Sequence, residues 1–346
     1  MLRIKNIAEV FILTTVISYI ITPVIKNIAV KLNYLDHPKT NKVHARPTAL
    51  LGGVSIYVSF IIGILMTIGL TLDAKLLSVI VGCTFLLVVG LVDDRMGMMP
   101  EVKLLGQFLA AMIVIKSGVR VEFLHNYYLD TIFTYLWIVG ITNAFNLLDN
   151  MNGLSVGIAV IASIFFGITM CTSGQLPVAV MSFALAGAGL GFLKHNFPKA
   201  SIFMGDTGSL VLGFVLASLA VMGSWSSKFL TTSLAMPILI LAYPIFDTML
   251  VTVMRLVEGR SIFQGGRDHS SHRLALLGFR KRRAVLVIYG ICIVLGLSAL
   301  LMQILPLRPA LILIGGVAMF MLVLGIRLAL VDTGRFGRSK KGDDLE

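Results

Sequence analysis

LLSVIVGCTFLLVVGLVDDR, residues 76–95, joins a long uncharged run to two adjacent aspartates, Asp93 and Asp94. A helix crosses a bilayer core with about 20 apolar residues, so a run of this kind is long enough to span a membrane. Ionisable groups at its end are costly to bury and mark a functional site by default. The 346-residue chain is 57% hydrophobic and 13% charged, with a mean hydropathy of +0.93. We therefore predict an integral membrane protein.

Hydropathy predicts an all-α polytopic helical bundle of eleven membrane spans, with ten as the alternative count. The apolar runs are hydrophobic on all sides and contain many glycines, which favours packed helices over a membrane β-barrel. The first span is interpreted as an uncleaved helix, although Arg3 and Lys5 would also suit a signal peptide. One membrane domain is expected over 1–334, with a charged tail over 335–346. The predicted spans are 7–26, 49–71, 75–92, 102–117, 129–147, 153–172, 176–193, 207–225, 229–254, 284–305 and 309–330.

Basic residues are distributed unevenly between the two sides of the predicted bundle. Most of the 29 lysines and arginines fall on one side, and loops rich in these residues stay in the cytoplasm. The net charge of +12 is explained mainly by this bias and by attraction to anionic headgroups. With an odd number of spans, the N-terminus is expected outside and the C-terminus in the cytoplasm.

Four polar patches interrupt the apolar chain, and all of them fall on the predicted cytoplasmic side. Carboxylates beside an excess of cationic groups suit a divalent metal together with a phosphorylated substrate, because the metal takes oxygen ligands and the phosphates take donors. The second patch repeats its polar groups every three residues, which aligns them along one helical stripe. The candidate residues in the four patches are Asp93, Asp94, Asn146, Asp149, Asn152, Phe203, Asp206, Arg267, His269, His272 and Arg273.

Each patch also has a structural interpretation. Asp93 and Asp94 could form a polar helix end, Asp206 could cap the eighth span, and the loop from His269 to His272 could be a solvated basic segment. A zinc site at the two histidines is the weaker hypothesis, because no cysteine lies near them in the sequence. A secondary transporter, in which helix-end carboxylates bind coupling ions, is the alternative from another functional class.

Several motifs, in order and over nearly the whole chain, resemble the polyprenyl-phosphate N-acetylhexosamine-1-phosphate transferase family. The resemblance implies transfer of a sugar 1-phosphate from a UDP-sugar to a polyprenyl phosphate at the cytoplasmic face of a bacterial inner membrane, with release of UMP. It implies Mg²⁺ as cofactor, with Mn²⁺ as a substitute, and no nucleic-acid partner; a homodimer is one option for the assembly. The matching elements are Lys42-Val43-His44 with Pro47 and Gly52-Gly53, Asp93-Asp94, the asparagine-rich stretch through Asp149, Phe203 to Ser209, Pro244 to Asp247, and the loop at His269.

The same resemblance implies roles for individual residues. Asp206, Asp94 and Asp149 are expected to be catalytic and to hold the metal, while Asp93 is expected as base or nucleophile. A lipid monophosphate is largely dianionic at neutral pH, so Asp93 could also act by positioning; direct attack and an aspartyl intermediate both stay open. The expected substrate-binding residues are Lys42, His44, Asn146, Asn152, Phe203 beside the uracil, Arg267, His269, His272 and Arg273.

Two departures from the family pattern bear on the sugar. Asn152 stands where bacterial members commonly have aspartate, and Ser270-Ser271 interrupt what is often a denser histidine cluster. The eleven predicted spans and the lack of a long outer loop resemble the GlcNAc-1-phosphate branch more than the MurNAc-pentapeptide branch. UDP-GlcNAc and undecaprenyl phosphate are therefore the expected substrates, with MurNAc-pentapeptide, GalNAc, QuiNAc and FucNAc donors as alternatives.

Overall fold

The computed structural model describes residues 4–36, 47–68, 72–223, 230–262 and 266–332. The chain divides into two compact units, Met1–Trp225 and Ser226–Glu346, and each is described by itself. The first contains α1 (Ile4–Lys31), β1 (Leu35–Asp36), β2 (Thr48–Ala49), α2 (Gly52–Ile68), α3 (Ala74–Met96), α4 (Pro100–Lys116), α5 (Tyr127–Leu148), α6 (Leu154–Thr172), α7 (Leu176–Asn196) and α8 (Gly205–Met222). The second contains α9 (Leu230–Ile240), α10 (Ala242–Val257), α11 (Ser270–Leu276), α12 (Lys281–Leu301) and α13 (Leu307–Ala329).

The predicted helical membrane architecture is confirmed. Within the described ranges, eight helices are long and apolar enough to cross a membrane, and a ninth span is possible if the bent pair α9 and α10 is one crossing. Every predicted span coincides with a helix or with this pair, but α2 and α4 are shorter, at 17 residues each. Eleven crossings and a single domain stay predictions, and the tail over 335–346 lies outside the described residues.

The bend between α9 and α10 measures 72° and has a local cause. Pro237 lies inside α9, and Pro244 occupies the first turn of α10. Proline has no amide hydrogen to donate, and its ring crowds the preceding turn, so it is tolerated in a first turn and breaks a helix elsewhere. The two prolines therefore favour a broken helix over a straight one.

Close packing in the first unit depends on small residues between α1 and α7. A Cβ at Gly187 would lie 2.3 Å from the Phe11 carbonyl oxygen, and one at Gly191 would lie 2.3 Å from the Thr15 carbonyl oxygen. Such contacts exclude any larger side chain and allow the two backbones to touch, as small residues do in membrane helix pairs.

Pro23 leaves an unpaired carbonyl in α1, and α7 provides the donor for it. The Tyr19 carbonyl has no amide partner four residues later, because residue 23 is proline. Nε2 of His195 lies 3.0 Å from that oxygen. The rings of His195 and Tyr19 are tilted by 32°, with centroids 5.1 Å apart. His195 thus joins α7 to α1 at the weak point of α1.

The segment before α8 is held by α2, α3 and the β1–β2 hairpin. Phe203 donates its amide to the Ala49 carbonyl at 2.8 Å and accepts from the Gly52 amide at 3.0 Å. Glycines let the neighbouring helices approach, since a Cβ at Gly53 would lie 2.2 Å from the Gly208 nitrogen and one at Gly90 would lie 2.4 Å from the Thr207 Cα. The backbone around Asp206 is therefore fixed from two sides.

Candidate active site

Four helices of the first unit bring charged and amide groups together around Asp206. Its Oδ2 lies 2.8 Å from Nζ of Lys103 on α4, and its Oδ1 accepts a short hydrogen bond from Asn146 on α5. The same Lys103 ammonium contacts Asp93 on α3, and the other oxygen of Asp93 accepts from the Met98 amide at 2.6 Å. Asn146 also donates to Ser209 Oγ at 2.9 Å. The result is an ion-pair network with two carboxylates on one ammonium.

Asp94 points to a different partner, the N-terminus of α8. Its Oδ1 accepts from the Asp206 amide at 2.8 Å, and its Oδ2 accepts from the Thr207 amide at 3.1 Å and the Thr207 hydroxyl at 2.5 Å. No side chain caps α8 from its own N-cap position, Met204. Asp94 therefore caps α8 from α3, where a negative charge is favourable. The approach needs Gly205, which has φ +73° and whose Cβ would lie 2.5 Å from Asp94 Oδ2.

Asp149 lies at the end of α5 and carries the least compensated charge of the cluster. Burial, followed by the negative charges of Asp206 and Asp94, raises its pKa to about 8. Within the described part of the chain, its carboxylate accepts no hydrogen bond. A group in this position gains most from a cation that stands near all three carboxylates.

The donor set around Asp149 and Asp206 fits a divalent cation. Among the described residues, no three histidine, cysteine or acidic side chains form a closed metal centre. A hard cation such as Mg²⁺ does not require one, because it usually takes one or two carboxylates and completes its shell with waters and substrate phosphates. Asp149 can supply one carboxylate directly, and Asp206 can supply another in exchange for its side-chain contacts with Lys103 and Asn146. The oxygens of Asp94 are instead held by backbone amides of α8.

Lys103 is the main site residue that the sequence analysis missed, because it lies in none of the four polar patches. A signal was present in the spacing. Lys103 and Gln107 are four apart on α4, and Asn143 and Asn146 are three apart on α5, so each pair lies on one helix face. Gln107 and Asn143 exchange two amide hydrogen bonds, at 2.6 and 3.2 Å. This exchange links α4 to α5 one turn from Lys103.

Asn152 and Phe203 lie on the two loops beside this network. Asn152 is exposed, and its amide lies 3.4 Å from the Pro198 carbonyl oxygen. The buried Asn196 connects the two loops, since its Oδ1 accepts from the Gly153 amide at 2.7 Å and its Nδ2 donates to the Ile202 carbonyl at 2.9 Å. Lys42 and His44 lie outside the described residues.

In the second unit, His269 and His272 are buried near the end of the predicted loop. Asp247 on α10 lies 2.8 Å from Nδ1 of His269, with Oδ2 as the contact atom. His272 is buried, and burial followed by the charges of His269 and Arg267 lowers its pKa to about 4. His272 is therefore uncharged at neutral pH, and it can offer an oxyanion a hydrogen bond but no charge. Arg267 is half-buried.

Arg273 makes structural contacts instead of presenting its guanidinium to solvent. It is fully buried, with Nε 2.7 Å from the Asp268 carbonyl oxygen and Nη1 3.0 Å from the Leu328 carbonyl oxygen at the end of α13. Asp268 in turn forms an ion pair with Arg255 at 2.9 Å. Although burial raises the pKa of Asp268, the hydrogen bonds and charge of Arg255 outweigh it and lower that pKa to about 2. These contacts fix the histidine loop on α10 and α13.

Comparison with known proteins identifies the family. Residues 76–224, which include the whole carboxylate network, match the model of glycosyl transferase family 4. A probable undecaprenyl-phosphate N-acetylglucosaminyl 1-phosphate transferase of Bacillus subtilis is 34% identical over 310 residues, covering 87% of this chain and 86% of the relative. A decaprenyl-phosphate N-acetylglucosaminephosphotransferase of Mycolicibacterium smegmatis is 30% identical over 82% of this chain and 79% of its own length. A phospho-N-acetylmuramoyl-pentapeptide-transferase of Moorella thermoacetica is 33% identical over 69% of this chain and 82% of its own length.

These matches decide between the two functional classes that the sequence left open. The transporter hypothesis is wrong, because the relatives are transferases and the match runs through the site. The chain is a multi-pass membrane enzyme, and it belongs to glycosyl transferase family 4, the polyprenyl-phosphate N-acetylhexosamine-1-phosphate transferases that its motifs resemble.

Proposed function

We propose that this enzyme transfers GlcNAc-1-phosphate from UDP-GlcNAc to undecaprenyl phosphate and releases UMP. The N-acetylglucosaminyl 1-phosphate transferase of Bacillus subtilis supports this sugar, because it aligns with 87% of this chain, against 69% for the muramoyl-pentapeptide transferase of Moorella thermoacetica. A phospho-MurNAc-pentapeptide transferase is the second candidate, since the two identities, 34% and 33%, are similar.

The observation that carries the proposal is the network in which Lys103 contacts both Asp93 and Asp206, and Asn146 donates to Asp206. Asp149 lies near enough for its charge to interact with that of Asp206. In the reaction, an oxygen of the lipid phosphate attacks the sugar-bearing phosphorus of the donor. The new P–O bond forms as the bond to the uridylyl phosphate breaks, and UMP leaves with the electron pair. The difficulty is repulsion between anions, so positioning and charge stabilisation do most of the work.

Individual residues have distinct parts in this proposal. The Lys103 ammonium holds Asp93 and Asp206 in place and offers a positive charge beside the incoming phosphates. Asp93 positions the lipid phosphate without having to deprotonate it, since the second phosphate pKa is near 6. Asp149 and Asp206 would hold Mg²⁺, which neutralises diphosphate charge when bound. Asp94 holds the backbone of Asp206 in position through the hydrogen bond from the Asp206 amide.

We further propose that the protein lies in a bacterial inner membrane with this site facing the cytoplasm. The excess of lysine and arginine on the predicted inner loops supports this orientation. The count of eleven spans follows if α2, α4 and the bent pair α9 and α10 each make one crossing. Labelling of single-cysteine variants in intact cells tests the orientation. We expect the variant with Gly97→Cys to react with the label only after the cells are permeabilised.

UMP release by the purified protein tests the reaction. UDP-GlcNAc, UDP-GalNAc and UDP-MurNAc-pentapeptide are offered separately with undecaprenyl phosphate and Mg²⁺, and omission of lipid is the control. Lipid-dependent UMP from UDP-GlcNAc alone supports the proposal, and UMP from UDP-MurNAc-pentapeptide supports the second candidate. No UMP from any donor, with Mg²⁺ and with Mn²⁺, contradicts both candidates.

A further inference from the structure

A buried hydrogen-bond network in the second unit contains an aspartate to which the proposed reaction gives no role. Asp247 on α10 is fully buried, and its carboxylate contacts three donors. Oδ2 lies 2.8 Å from Nδ1 of His269. Oδ1 accepts from the Ser270 amide at 2.7 Å and also from the Ser270 hydroxyl. The hydroxyl of Tyr243 lies 2.6 Å from Ser270 Oγ and completes the network.

The chemistry of these groups fixes the direction of each hydrogen bond. An ionised carboxylate only accepts, so the proton between Asp247 and His269 belongs to Nδ1 of the imidazole. Ser270 gives its single hydroxyl proton to Asp247, so Tyr243 donates to Ser270 Oγ. The other ring nitrogen of His269, Nε2, has no hydrogen-bond partner within the described part of the chain.

We propose that Asp247 is the positioning residue of His269: it keeps the proton on Nδ1 and leaves Nε2 as the ring nitrogen that contacts the substrate. This inference rests on the proposed function, together with the substrate-binding role that the family resemblance implies for His269. A carboxylate that is hydrogen-bonded to one ring nitrogen of a histidine fixes both the tautomer and the orientation of the imidazole. It thereby determines how the other ring nitrogen is presented.

Asp247 has a second, structural use that must be separated from this one. His269 is the N-cap residue of α11 but provides no capping side chain, and Oδ1 of Asp247 caps that helix from α10 instead. The cap explains both bonds to Ser270, yet it does not explain the bond from Oδ2 to His269. Oδ1 therefore caps α11 and Oδ2 contacts His269, and one substitution can distinguish these two roles.

Asp247→Asn reverses the direction of the hydrogen bond between residue 247 and His269, while the cap on α11 is kept. Two donors meet at Oδ1, so the single amide oxygen of asparagine stays with Ser270, and the NH₂ group takes the place of Oδ2. That group donates to Nδ1 of His269 and forces the ring proton onto Nε2. The cap and the buried volume are retained, so the variant is expected to fold.

Nitrogen NMR of the full-length protein with ¹⁵N-labelled histidine tests the tautomer without substrate. His269→Gln identifies the His269 signals among those of the six histidines. We expect a protonated Nδ1 in the wild type and an unprotonated Nδ1 in Asp247→Asn. An unprotonated Nδ1 in the wild type, or the same protonation in both proteins, overturns the inference. This result stands even if the proposed function fails.

UMP release tests whether the contact acts through His269. Asp247→Asn should lower kcat/KM by about 10- to 100-fold, by analogy with the carboxylate partners of metal-binding histidines. In a His269→Gln background the same change should have less than about a twofold further effect, because the partner is gone. Equal losses in both backgrounds would make Asp247 a purely structural residue and overturn the inference.

Ser270→Ala is the matched control for the cap. It removes the hydroxyl bond to Oδ1 but keeps the amide bond and the contact between Asp247 and His269. We expect kcat/KM within about threefold of the wild type, because His269 keeps the carboxylate that orients it. A loss as large as that of Asp247→Asn would assign the effect to the cap and contradict the inference. If the wild type releases no UMP from any donor, the proposed function fails and the NMR result alone decides.

Discussion

Asp94→Asn should separate a helix cap from a metal ligand at the same position. In the wild type, the two oxygens of Asp94 accept from the Asp206 amide and from the amide and hydroxyl of Thr207. Asparagine has one acceptor oxygen, so it can serve Asp206 or Thr207 but not both. In either orientation its NH₂ group faces backbone donors, and the negative charge at the start of α8 is lost.

The magnitude of this change follows from the lost contacts. A hydrogen bond to a charged group contributes about 1.5–3 kcal/mol. A charge at a helix N-terminus contributes about 0.3–1 kcal/mol. With one such bond and the charge removed, we expect the first unit to lose about 3 kcal/mol of stability. Displacement of Asp206 by about 1 Å should lower turnover by about 100-fold.

The assay is UMP release as a function of Mg²⁺ concentration, together with thermal unfolding of the same samples. For Asp94→Asn we expect a lower kcat at saturating Mg²⁺, a lower Tm and an apparent Mg²⁺ affinity close to that of the wild type. Asp149→Asn is the control, because its carboxylate has no hydrogen bond among the described residues. There we expect weaker Mg²⁺ affinity with no loss of Tm. If excess Mg²⁺ restores Asp94→Asn to wild-type turnover, or if its Tm is unchanged, Asp94 is a metal ligand and the cap assignment is refuted.

Three further predictions use other parts of the first unit. Lys103→Met should abolish measurable UMP release, because it leaves Asp93 and Asp206 without their shared cation; turnover within tenfold of the wild type would remove Lys103 from the site. Because the pKa of Asp149 is raised to about 8 from an unfolded value near 4, its contribution to stability is complete below about pH 4 and is lost as the pH rises through about 8. In metal-free buffer, Tm should therefore fall more steeply between pH 5 and 9 for the wild type than for Asp149→Asn, and equal slopes would contradict the raised pKa. His195→Phe should lower stability by about 1 kcal/mol with unchanged kcat, because the Tyr19 carbonyl loses its donor; an unchanged Tm would refute this.

The helices were predictable because their signal is local. A continuous apolar run is visible in the sequence wherever a helix must face lipid, so the predicted spans coincide with helices throughout. The break between α9 and α10 was less visible. Pro237 and Pro244 are both in the sequence, but a proline can also kink a helix only slightly, and packing decides the angle.

The site was predictable in composition but not in its pairing. Asp93, Asp149 and Asp206 stand out because charge at the end of an apolar run is expensive. The distinction between Asp93 and its neighbour Asp94 does not follow from the sequence. Successive residues on a helix point about 100° apart, so one meets Lys103 on α4 and the other meets α8.

Hydropathy is a property of the linear chain, so it was enough to establish that this protein spans a membrane as helices and which polar residues interrupt them. Which of those polar residues contact one another depends on how the helices pack. Packing brings Lys103 on α4 into contact with Asp93 on α3 and with Asp206 on α8. It also places Arg273 against the end of α13 and buries His272, which leaves His272 uncharged. Hydrogen bonds, ion pairs and desolvation act over a few ångströms in space, and those distances are set by how the helices pack.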